Sequence, residues 1–129
     1  MKLTFVIFCL FCFSLLSAQT QAEMNSIEAN SFKQADRELN IVYKRILQEY
    51  KTNSLFINRL KDSQRIWIKF RDAELLVKYP DPESNMGSIH SMCVSNYLEY
   101  LTRERIKTLR VWLTGVEEGD VCSGSVKLK

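Results

Sequence analysis

Residues 25–51, NSIEANSFKQADRELNIVYKRILQEYK, decide the fold. The stretch holds neither glycine nor proline, and Phe32, Leu39, Val42, Ile46 and Tyr50 recur at helical steps with Ala35 and Tyr43 alongside. That spacing lays one apolar stripe along an α-helix. Asn25 can cap it, and Glu28, three residues on, can reach back to the cap's N–H. A polar break, Thr52-Asn53-Ser54, follows, and Asn53 or Ser54 can cap a second helix reaching about Tyr79. Its stripe is Ile57, Leu60, Gln64, Trp67, Arg71 and Leu75. Pro80 and Pro82 stop it, because neither donates a backbone hydrogen bond and each disfavours helix in the residue before it. Ser88 can cap a third helix over 89–113, with Cys93, Tyr97, Leu101, Ile106, Leu109 and Leu113 on its stripe and Gly115 as its stop. Three helices with short connections predict an all-α, antiparallel three-helix up-down-up bundle with a short polar tail over 116–129.

The N-terminus reads differently. Lys2 precedes a run, residues 3–16, that is apolar apart from Thr4 and Ser14 and ends at the small residues Ser17 and Ala18. Charge, apolar run and small residues in that order predict a secretory signal peptide over 1–18, cleaved after Ala18, with Ala22 as the alternative site. The run is shorter than the ~20 residues of a membrane span. Residues 19–129 are then a single helical domain, secreted or periplasmic. Cys9 and Cys12 leave with the leader, and no cysteine stands where a lipid anchor needs one, so no stable membrane insertion is expected after cleavage. The chain carries 18 basic and 15 acidic residues, a net charge of +3, and the leader removes one of the positives. This near balance does not suit nucleic acid, which demands a concentrated basic face.

Two cysteines remain, Cys93 and Cys122. In an oxidising compartment an even pair predicts a disulfide, here tying the last helix to the tail. Closing that loop contributes roughly 3–4 kcal/mol in the chain-entropy picture.

Polar residues interrupt the stripes. Asp36, Asn40 and Tyr43 share a face of the first helix; Gln64, Trp67, Arg71 and Glu74 share one on the second; Thr102 and Arg105 lead to Leu109 on the third. A buried arginine or carboxylate is costly unless paired. The pattern predicts one inter-helix network in which Arg71 meets Asp36 or Asn40, with Gln64 and Trp67 close by. A polar core that fixes helix register is weighed above a binding or catalytic site. No nucleophile stands with a base, and His90 alone cannot make a metal site. Catalytic residues, metal and cofactor are therefore not expected.

These same residues carry a resemblance. Ala35-Asp36-Arg37-Glu38-Leu39-Asn40, Tyr43, Gln64, Trp67, Phe70-Arg71-Asp72-Ala73-Glu74, Gly87-Ser88, Leu101-Thr102-Arg103-Glu104-Arg105 and Leu109, in that order, resemble the LprI-like lysozyme inhibitor N-terminal domain over about 23–113. The family comprises small secreted or periplasmic bacterial proteins. Where it usually carries cysteine, this chain has Ile27, Leu75 and Tyr97, so the family's disulfide pairing does not transfer, and these replacements suit buried positions. The resemblance implies a non-enzymatic protein that binds and inhibits lysozyme. The alternative is a periplasmic interaction or stress module with a different protein partner. Animal-type lysozymes are basic enzymes with two carboxylates in a cleft. Contact with one would fall to local acidic patches. The first is the 80–87 connection, with Asp81, Glu83 and Asn85; the second is the tail around Glu117, Glu118 and Asp120.

Overall fold

The computed structural model describes the backbone of residues 2–81 and 87–129, and the side chains of residues 20–81, 87 and 89–129. Among the described residues three helices make up the fold: α1 (Lys2–Glu49), α2 (Ser54–Lys78) and α3 (Ser88–Thr114). The side chains of the expected leader, 1–18, lie outside the described residues, while its backbone from Lys2 is continuous with α1. Asn25 is therefore inside a helix instead of capping one; its Oδ1 accepts a 3.0 Å bond from Gln21 Nε2, one turn earlier.

The other termini follow local chemistry. Asn53 Oδ1 accepts the Phe56 N–H at 3.0 Å and so caps α2. The last turn of α2 closes with Tyr79 N–H on the Leu75 carbonyl at 2.8 Å, and Pro80 ends it. At α3 the expected cap moves by one residue. Gly87, at φ 58°, occupies the N-cap without a side-chain bond, and Ser88 is the first helical residue. Gly115 ends α3 at φ 77°, where a Cβ would lie 2.8 Å from the Lys127 carbonyl oxygen.

The helices run up, down and up. Glu38 meets Arg103 and Arg110, and Tyr50 meets Trp112, so α1 and α3 are parallel. Gln64 meets Arg105 and Glu74 meets Tyr97, so α2 runs against α3. Ala35, Leu39, Val42 and Ile46 on α1 face Ile106 and Leu109 on α3, all under one-tenth exposed. Of α2 only Leu60 is buried, although the expected stripe residues Ile57, Gln64, Trp67, Arg71 and Leu75 are half-buried. The bundle is thus a tight α1–α3 pair with α2 resting more lightly on α3.

The disulfide is not formed: Cys93 and Cys122 are both free thiols. The geometry forbids it. Cys93 lies near the start of α3, and the segment carrying Cys122 docks at Trp112, about 28 Å further along the helix axis. A bridge needs Cα atoms within about 7 Å. The tail is instead held by other means. Val116 N–H bonds the Lys127 carbonyl at 3.0 Å, Lys129 N–H bonds the Val116 carbonyl at 2.9 Å, and Trp112 Nε1 donates to Ser125 Oγ at 3.0 Å. Lys127 Nζ reaches Glu49 at 2.9 Å, which ties the tail to the end of α1.

If the α1–α3 seam is the core, Ile46→Ala destabilises by about 2–5 kcal/mol. Ile66→Ser, on a side chain 66% exposed, stays within about 0.5 kcal/mol of the parent. Urea unfolding midpoints at constant slope measure both, and equal losses contradict the assignment.

Candidate functional site

The polar residues form two groups instead of the single expected network. The first surrounds Trp67. Arg71, one turn on along α2, places Cζ 5.4 Å from the Trp67 ring centroid, and Arg105 from α3 places its own at 5.8 Å. Each guanidinium lies over the indole, where the ring quadrupole attracts it. Arg105 Nε donates to Gln64 Oε1 at 3.1 Å and Nη2 to Ser63 Oγ at 3.0 Å. With neutral oxygens for these bonds, burial lowers the pKa of Arg105 below its ordinary value. A guanidinium tolerates this position because it is weakly hydrated and planar.

Arg71 does not meet Asp36 or Asn40. Its Nε and Nη2 both donate to Asp72 Oδ1, at 2.9 and 2.7 Å. The carboxylate next in sequence pairs with it, leaving the Arg71 side chain 17% exposed. Asp36 and Asn40 form the second group, on α1: Asn40 Nδ2 donates to the Asp36 carbonyl at 2.9 Å and to its Oδ2 at 3.3 Å. The separation has a simple cause. Because α2 leans on α3, α1 and α2 diverge, and the polar face of α1 borders an open groove of about 840 Å³. Asn40, Tyr43 and Leu47 form one wall, and Gln64, Ile68 and the Asp62–Arg65 ion pair belong to the other. Burial raises the Tyr43 pKa above 10.0, and the positive charge of Arg65 partly opposes the shift.

Thr102 belongs to neither group. It is fully buried, and among the described residues its Oγ1 has no hydrogen-bond partner. Glu38 stands outside the expected set, yet it joins the helices. It pairs with Arg103 at 3.5 Å and with Arg110, while Arg103 Nε also binds Glu99 at 2.7 Å. Arg103 and Arg110, seven residues apart on one face, were the sequence signal for it. Of the acidic connection, Asp81 is exposed, and Glu83 and Asn85 lie outside the described residues. Leu75 and Tyr97 are half-buried, as their replacement of cysteine suggested, but Ile27 is 55% exposed and fills no core.

Two outcomes test this description. Thr102→Val removes a desolvated hydroxyl without changing shape, so stability rises or holds, by up to about 1 kcal/mol; a loss above that reveals a hidden partner. Tyr43 has a raised folded-state pKa, so its contribution is complete below pH 10.0 and is lost as pH climbs through the folded value. Tyr43→Phe should therefore flatten the alkaline limb of a stability–pH curve, and an unchanged limb assigns that loss elsewhere.

The motif residues thus pack the seam (Ala35, Leu39, Thr102, Leu109), clamp it (Glu38, Arg103) or join α2 to α3 (Gln64, Trp67, Arg105). The sequence model of the family described as Lysozyme inhibitor LprI matches residues 14–109, from within α1 to the buried Leu109 of α3. An uncharacterized protein of Rhizobium meliloti (strain 1021) is 27% identical over 111 residues, which cover 78% of each chain. No solved structure matches. The chain belongs to the LprI lysozyme inhibitor family.

Proposed function

We propose that residues 19–129, exported by a leader over 1–18, act outside the cytoplasm as a non-enzymatic protein that binds and inhibits a lysozyme. The family match over most of the chain carries this reading. The packing of the motif residues is in keeping with it: they hold helices together, which leaves the outer surface for a partner. Inhibition then comes from occupying the enzyme's cleft. Asp81 and Glu83 of the connection after α2 supply the local negative charge that draws in a basic enzyme, with Asn85 next in that segment of sequence and Glu117, Glu118 and Asp120 of the tail as a second patch.

Lysis of bacterial cells by lysozyme, followed by turbidity, should fall stoichiometrically as purified mature protein is added. A protein that leaves every lysozyme class fully active refutes the reading. The double variant Asp81→Lys, Glu83→Lys should associate more slowly and inhibit more weakly, with less sensitivity to salt. A folded double variant that inhibits normally moves the contact away from the connection.

A further inference from the structure

A second cavity, about 430 Å³, opens where α2 ends against the start of α3, and aromatic faces line it. Tyr79 follows the last turn of α2; Tyr97 and Tyr100 come from α3. The rings hold one another: Tyr79 and Tyr97 meet edge-to-face at 6.3 Å, and Tyr97 and Tyr100 stack at 6.2 Å. Tyr79 is fixed by its hydroxyl, which donates to the Cys93 carbonyl at 3.3 Å. Tyr97 is fixed by its hydroxyl on Glu74 Oε1 at 3.4 Å.

The chain's own Lys78 occupies this place. Its ammonium lies 3.8 Å from the Tyr97 centroid and 5.9 Å from that of Tyr79. The tyrosine faces favour a cation here, with the Glu74 carboxylate behind them on the Tyr97 hydroxyl. Lys78 is also exposed and sits at the last position of its helix, so an equivalent group can displace it at the cost of one flexible side chain moving into water.

We propose that this tyrosine pocket receives a lysine or arginine side chain of a basic protein partner, with Lys78 as its internal stand-in. The identity of that partner rests on the reading of the chain as a lysozyme binder. The chemistry of the pocket does not, because aromatic faces beside a carboxylate select a cation whoever carries it.

The test compares lysozyme affinity of the full mature chain with those of Lys78→Met, Tyr100→Ala and Lys44→Met. Lys44, exposed on α1, controls for the general loss of one positive charge. Lys78→Met should bind severalfold more tightly than Lys44→Met, because the internal competitor is gone. Tyr100→Ala, on a side chain 58% exposed, should keep its fold and bind about three- to tenfold more weakly. Affinities of Lys78→Met equal to Lys44→Met, with Tyr100→Ala equal to the parent, overturn the pocket and leave lysozyme binding standing. If no lysozyme binds at all, n-butylammonium titrated into Lys78→Met and followed by tyrosine ring proton shifts decides the pocket alone. A saturable shift of Tyr97 and Tyr100 supports it, and a flat titration overturns it.

Discussion

The structure depends on one seam. Ala35, Leu39, Val42 and Ile46 repeat at steps of four, three and four along α1, and Thr102, Ile106 and Leu109 answer at steps of four and three along α3. This is the spacing of packed helices that keep one face together over several turns. Among the described residues every buried apolar side chain except Leu60 lies in this seam, and burial is the main favourable term in folding. The Glu38–Arg103 and Glu38–Arg110 pairs run along its edge. Such exposed pairs contribute little on their own; they mark which turn of α1 meets which turn of α3.

The looseness of α2 follows from the seam. Two parallel helices cannot be joined by a short turn, so α2 must carry the chain back, and it does so with one buried residue, Leu60. At its start it is anchored well. Phe56 stacks on Tyr50 at 4.4 Å and approaches Trp112 at 6.2 Å, next to the docked tail. Further along, α2 depends on polar and aromatic contacts to α3: Gln64 and Trp67 with Arg105, then Glu74 with Tyr97. The groove beside α1 and the tyrosine pocket at the far end are both consequences of this one-sided support. Exposed Ile66, Phe70 and Val77 belong to the same helix, which is where a bundle with a minimal core leaves apolar surface uncovered.

Much of this could be read from the sequence. Helical spacing located α2, α3 and the C-terminal part of α1, whose expected start at Asn25 failed because the helix already runs from Lys2; Asn53 and Gly115 marked helix ends by known cap chemistry, and Leu39, Val42, Ile46, Leu60, Ile106 and Leu109 stood on the expected stripes. The partners of the polar side chains were not legible. Spacing places Arg71, Gln64 and Trp67 on one face of α2, but whether that face turns toward α1 or α3 is decided by how far the helices diverge. Asp72, the nearest carboxylate in sequence, then captured Arg71. The disulfide failed for a related reason: a compartment rule counts cysteines, whereas the length of α3 separates them. Tyr79, Tyr97 and Tyr100 signalled nothing as a group, because only the antiparallel return of α2 brings them together.

Native-state hydrogen exchange on residues 19–129 reaches the central claim most directly, because it reads the stability of each helix separately. Amides over 35–47 of α1 and 101–112 of α3 should exchange only through global unfolding and share one free energy. Amides over 65–77 of α2 should exchange through a lower-energy opening that leaves the other two helices protected. Equal protection along all three helices, or an α1 that opens before α2, would contradict the account.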